Sequence, residues 1–213
     1  MLTSNEIKRF FGAIVIADAL GTKGKWLKRD PLELIKEYKK LLKDATEVIK
    51  GMERHSNSTE TSISPYIITI SDTIIAIFEG SRNNALYYAS IWSTYLTSLG
   101  LIYKIPFRGG LGYGEIFFDK SNNIIIGPTI DEVAEWHDKG QIIGIYATPS
   151  ALLHNYEPNK KPYGVSALVK YSVKMKNLFS YDTWITNWPE YMKAVIEQVQ
   201  NENGDDQEEF EIT

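Results

Sequence analysis

The chain contains no cysteine. Disulfides, thiolate zinc sites and cysteine nucleophiles are thereby excluded. Histidine is nearly as scarce: His55, His137 and His154 are scattered too widely to read as a His-rich metal site, and His137 and His154 read as surface residues. No stretch reaches the roughly 18 consecutive apolar residues that a membrane-spanning helix needs. The polar segment from Met1 to Arg9 lacks the apolar centre of a signal peptide. A soluble, cytoplasmic protein without a membrane partner is therefore expected. Excess positive charge is missing too. With 23 basic and 27 acidic residues the formal charge is −4, the wrong sign for a dedicated nucleic-acid binder, yet it leaves room for a small anionic substrate held by a few local cations.

What is present is ordinary for a globular protein: 213 residues, 43% hydrophobic and 23% charged, enough to bury a sizeable core. No internal repeat or linker is visible. One domain is expected over residues 1–200, followed by an acidic tail, 201–213, whose Glu202, Asp205, Asp206, Glu208, Glu209 and Glu211 have no basic neighbour and read as disordered.

Phe10 to Ala17 is an apolar, β-branched run and reads as a buried strand. Asp30-Pro31 is a helix start, opening a helix to about Met52 with Leu34, Ile35, Tyr38, Leu41, Leu42, Ala45, Val48 and Ile49 at helical spacing. Tyr66 to Ile70 and Thr73 to Phe78 form a hairpin turning at Ser71-Asp72, and a second helix follows from about Arg82 to Leu99. Pro106 to Phe118 is a strand with glycines at 109, 110, 112 and 114, a pattern of bulges or close backbone approach. A short return strand, Ile124 to Ile126, leads to a helix from about Thr129 to Lys139. A strand from Gln141 to Ala147, a short helix, a last hairpin (Val165 to Val173, Phe179 to Ile185) and a C-terminal helix from Trp188 complete the expected α+β domain.

Two stretches carry chemistry. Ile14-Val15-Ile16-Ala17-Asp18 delivers an acid to a strand end, beside the turn Ala19-Leu20-Gly21-Thr22-Lys23-Gly24. The hairpin Ile70-Ser71-Asp72-Thr73 delivers a second. Two carboxylates on strand ends next to a glycine-bearing turn suit divalent cations that hold a triphosphate.

The order strand-Asp, helix, hairpin-Asp, helix, glycine-rich strand, helix, strand resembles the class III nucleotidyl cyclase catalytic domain. The motifs are Ile16-Ala17-Asp18-Ala19-Leu20-Gly21, the hairpin around Asp72, and Arg108-Gly109-Gly110-Leu111-Gly112-Tyr113-Gly114-Glu115 followed by Ile126-Gly127-Pro128-Thr129-Ile130-Asp131-Glu132. The resemblance implies a ferredoxin-like fold with a mostly antiparallel central sheet flanked by helices. It also implies a head-to-tail homodimer and a metal-dependent conversion of a nucleoside triphosphate to its 3′,5′-cyclic monophosphate. Two Mn²⁺ or Mg²⁺ ions would be held by Asp18, Asp72 and the Ala19 carbonyl. The amides of Leu20, Gly21 and Thr22, with Lys23 and Lys176, would meet the phosphates. Asp131 and Glu135 stand where the family has an Asn and an Arg, so another cation, Arg108, Lys23 or Lys176, would steady the transition state. The family's two polar purine readers are here Ile68 and Ile124. These departures resemble the bacterial pyrimidine cyclases of antiphage signalling, whose cyclic UMP or cyclic CMP activates a separate effector. A purine cyclase and a catalytically inactive nucleotide-binding module are the alternatives.

Overall fold

The computed structural model describes residues 7–22, 28–55, 64–153, 165–177 and 179–194, with the side chains of 50–55 and Leu153 outside the description. Lys23, His154 and the acidic tail, all singled out above, lie outside the described residues.

The chain runs β1 (Ile7–Ala19), α1 (Pro31–His55), β2 (Tyr66–Ile70), β3 (Thr73–Glu79), α2 (Arg82–Ile102), β4 (Phe107–Asp119), β5 (Ile124–Ile126), α3 (Pro128–Trp136), β6 (Gly144–Ala147), α4 (Pro149–Leu153), β7 (Leu168–Lys174) and β8 (Ser180–Thr186). The strands form one sheet ordered β2-β3-β1-β4-β6-β8-β7, with β5 pairing β4. Among the described strands, only β4 and β6 run parallel. The first six elements are the βαββαβ unit with strand order 2-3-1-4, the ferredoxin-like arrangement expected from the motif order.

Alternation along β1 sorts the sheet into two faces. Ala13, Val15, Ala17 and Ala19 point into the larger core, under α1 and α2; Ile14 and Ile16 point into a smaller core shared with Ile77, Ile116, Phe118 and Val133 of α3. Asp18, next in the second series, belongs to the α3 face.

The α1 start follows the capping rule: the Asp30 carboxylate accepts a hydrogen bond from the Leu32 amide at 3.0 Å. Its buried stripe is Leu34, Tyr38, Leu41, Ala45 and Ile49. Ile35, expected with that stripe, lies on its edge and is exposed. Helix α2 is buried nearly all round, so its hydroxyls have no water; those of Ser90, Thr97 and Ser98 donate to carbonyls four residues back.

The glycines of β4 are a seat for α3. A Cβ on Gly114 would come within 2.4 Å of Thr129 Oγ1, one on Gly112 within 2.4 Å of Val133 Cγ2, and one on Gly110 within 3.5 Å of the His137 Cα. The spacings match physically. Alternate strand residues repeat every ~6.7 Å, and helix residues four apart every ~6 Å. The helix ridge Thr129–Val133–His137 therefore lies along the glycine row and carries its C-terminal end towards the end of β1 that bears Asp18.

Candidate active site

Asp18 and Asp72 are brought together by the sheet register. Asp18 is paired with Thr73 of β3 on one side and Arg108 of β4 on the other. The Ala19 amide donates to the Asp72 carbonyl at 2.9 Å, stitching the end of β1 to the β2–β3 turn. That turn is tight, with Ser71 at φ +57°.

The surroundings of the two acids differ. Asp18 Oδ1 accepts the Thr73 hydroxyl at 2.7 Å, and Oδ2 faces His137 Nε2 at 3.1 Å. The other ring nitrogen, Nδ1, lies 2.6 Å from the Ala134 carbonyl. Both nitrogens therefore face acceptors, and only the imidazolium has a proton for each. His137 is also the C-cap residue of α3, where the helix dipole favours positive charge. The hydrogen bond from His137, more than that from Thr73, holds the Asp18 carboxyl below the usual carboxylate range against the opposing effect of burial. The same hydrogen bond raises the His137 pKa. The reading of His137 as a plain surface residue is thus corrected: it is half-buried and paired with a site acid. The sequence held the signal, because the four-residue ridge fitted to the glycine row ends on His137.

Asp72 has neutral company. The Thr22 hydroxyl lies 2.9 Å from Asp72 Oδ2 and 3.0 Å from the Ala19 carbonyl. One hydroxyl proton serves one acceptor at a time, so this cluster holds more lone pairs than protons. Such a set of hard oxygens fits Mg²⁺ or Mn²⁺. Among the described residues no group of three or more His, Cys, Asp or Glu side chains would cage a metal alone. A cation here would complete its shell with water or phosphate oxygens, as Mg²⁺ commonly does.

The other expected residues divide. Arg108 is half-buried beside Asp18, and its Nε has no hydrogen-bond partner among the described residues. Gly21 makes the turn at φ +69°. The Leu20 amide donates to the Pro106 carbonyl at 2.7 Å, so it is not free for a phosphate. Lys176 donates to Asp138 Oδ2 at 2.6 Å, which places it one residue from His137 in an alternating chain of charge. Asp131 is exposed in the first turn of α3, and Glu135 is paired with Lys139. Ile68 pairs with Ile75, itself the partner of Ile16, and so shares the face of Asp18. Ile124 pairs with Asp119, the partner of Ile7, and lies on the opposite face, 52% exposed. The sheet does not bring these two positions together in one subunit.

No family model matches the chain, and no curated protein sequence does. Solved structures do. The catalytic core of a rhodopsin-guanylyl cyclase with converted specificity, crystallised with ATPαS, superposes at a TM-score of 0.60 over 85% of this chain and 98% of its own, at 13% identity. This chain has the fold of a cyclase catalytic core. An adenylate/guanylate cyclase/hydrolase from Silicibacter pomeroyi is a weaker likeness, with a TM-score of 0.49 over 84% of this chain and 97% of its own, at 17% identity.

Proposed function

We propose that the protein is a metal-dependent nucleotidyl cyclase acting on a pyrimidine nucleoside triphosphate, UTP or CTP. The observation that carries this reading is the meeting of Asp18 and Asp72 at adjoining strand ends, around a proton-poor cluster of hard oxygens, on a cyclase fold. The ribose 3′-oxygen forms a bond to the α-phosphorus while the bond to the β-phosphate oxygen breaks. Pyrophosphate leaves with that electron pair, and the 3′-hydroxyl proton passes to solvent. Divalent cations, when bound, lower the pKa of the 3′-hydroxyl and neutralise the leaving pyrophosphate. Asp18, Asp72 and the Ala19 carbonyl are the groups that would hold two such ions.

The remaining roles are part of the same proposal. The amides of Gly21 and Thr22, with Lys23, receive the polyphosphate; Leu20 contributes its place in the turn rather than its amide. Arg108 steadies phosphate charge in place of the family's arginine, because its guanidinium is the less committed one: Lys176 is tied to Asp138. In a head-to-tail homodimer Asp131, exposed on α3, would be free to face a partner's site, and such a dimer is what would let Ile124 of one copy approach the site of another. Ile68 and Ile124 are apolar where purine cyclases carry polar base readers, which favours a pyrimidine. The product would serve as an antiphage messenger read by a separate effector.

Two other readings have support. The solved core of like fold holds ATPαS, which favours a purine triphosphate. Glu135, paired with Lys139 where the family has an arginine, favours a non-catalytic nucleotide-binding module. Incubation with each of the four ribonucleoside triphosphates and Mn²⁺ separates them, with Asp18→Asn and Asp72→Asn as controls. Cyclic UMP or CMP is expected, and none from either variant. Cyclic AMP or GMP would establish the purine reading, and no product from any nucleotide would leave the binding module.

A further inference from the structure

Thr22 stands in the turn that follows β1 and is only 3% exposed. Its hydroxyl oxygen lies 3.0 Å from the Ala19 carbonyl and 2.9 Å from Asp72 Oδ2. The first contact alone would be ordinary, since threonine often bonds to a nearby carbonyl of its own turn. The second is not local: Asp72 is 50 residues further along the chain. One hydroxyl proton cannot serve both acceptors, so in one of the two contacts oxygen lone pairs face each other. What these three oxygens lack is positive charge. Their spacing suits an ion. An octahedral cation with ligands at about 2.0–2.1 Å sets neighbouring ligand oxygens about 2.9 Å apart, the edge of an octahedron of that radius. Both Thr22 distances match that edge. A threonine hydroxyl is also the right kind of donor, hard and neutral, as on the Mg²⁺ of P-loop enzymes.

We propose that the side-chain oxygen of Thr22 is a ligand of the cation that Asp72 and the Ala19 carbonyl hold, its proton turned away from the ion. The proposal rests on the reading of Asp72 as a cation ligand and is independent of which nucleotide is used. Mn²⁺ alone is titrated into the full-length protein, with the spin-resonance signal of the free ion giving the affinity. Thr22→Val keeps the shape and removes the oxygen; it should weaken binding at least about tenfold, the loss that even a partner one step removed from the ion causes. Thr22→Ser should stay near wild type, and Asp72→Asn should be weakened. Thr22→Cys then separates a ligand from a group acting at one remove. The chain has no cysteine of its own, and thiolate selects soft ions over Mg²⁺ and Mn²⁺. Cd²⁺ should therefore give Thr22→Cys a thiolate-to-metal absorption in the ultraviolet that disappears when Asp72→Asn is added. No such absorption, or one that survives Asp72→Asn, overturns the proposal, and Thr22→Ser as weak as Thr22→Val does so too. Unchanged Mn²⁺ affinity in Thr22→Val beside a weakened Asp72→Asn overturns the Thr22 role alone. Unchanged affinity in both overturns the cation site itself. If Thr22→Val fails to fold, judged by its cation-free melt, the serine and cysteine variants decide the matter.

Discussion

Replacing His137 by glutamine tests the charge arrangement of the site most directly. Glutamine can still donate one hydrogen bond but carries no charge. At 3.1 Å the pair's Coulomb energy with an effective dielectric constant of 20 is about 5 kcal/mol. Desolvation and water offset most of it, since both side chains keep about a fifth of their surface exposed. A net contribution of about 1–2 kcal/mol is expected, between exposed and fully buried pairs. Its pH dependence has a definite sign. The His137 pKa is raised on folding, so its share is complete below its ordinary value of 6.5 and disappears as pH rises through the folded value. The Asp18 pKa is lowered, so its share is complete above its ordinary 3.8 and disappears as pH falls through the folded value. The pair is at full strength between those two ordinary values. Urea unfolding of wild type and His137→Gln, without cations, should differ by about 1–2 kcal/mol near pH 5.5, with the gap closing at alkaline pH once the pH has risen through the folded His137 value. A gap that is the same at both pH values would refute the charged pair, leaving only a packing role for the imidazole.

Three further outcomes follow from the same geometry. Gly112→Ala places a methyl 2.4 Å from Val133 Cγ2, so overpacking should cost about 1–3 kcal/mol, less about 0.5–1 kcal/mol recovered by removing a strand glycine. Val133→Ala should rescue it, the double variant being more stable than the sum of the singles, whereas strict additivity in thermal melts would deny the glycine seat. Arg108→Gln should lower kcat on the order of a hundredfold with a smaller change in KM, and an unchanged kcat would remove Arg108 from the cyclase reading. In His137→Gln, added Mn²⁺ should raise the melting temperature more than in wild type, because the imidazolium no longer competes at Asp18 Oδ2; equal shifts would show that the ion does not reach Asp18.

Much of the frame was legible because it is local. A β-branched run ending in Asp18, an Asp-Pro helix start and a hairpin turning at Ser71-Asp72 each state their conformation within a few residues, and their order implied the strand arrangement. What escaped depends on distant pairing. The Leu20 amide is satisfied by the Pro106 carbonyl, and no local pattern announces that two strand ends will cross there. The face of Ile124 depends on how the chain emerges from the turn at Asn123, whose φ of +54° resets the alternation carried along β4. A three-residue strand is too short to declare its own inward side. His137 looked isolated because its neighbour Asp18 is remote in sequence, although glycines two apart facing a helix ridge four apart prescribe that meeting.

The pairing of the two acids is therefore unequal in a way that their matching strand-end positions conceal. Asp18 sits on the α3 face, where His137 and Arg108 already answer its charge. Asp72 is met by the neutral hydroxyl of Thr22, beside the Ala19 carbonyl. A cation arriving alone gains more at Asp72, because there it displaces water rather than an imidazolium. Asp18 then becomes available only when something else takes up His137, and a polyphosphate brought in with the ion has the charge to do so. If Asp18 and Asp72 hold the ion as proposed, cation and nucleotide should bind with positive coupling. The His137→Gln variant, in which Asp18 is free from the start, should show that coupling diminished when Mn²⁺ affinity is compared with and without a non-reactive nucleotide. Coupling as strong in the variant as in the wild type would mean that His137 does not control access to Asp18.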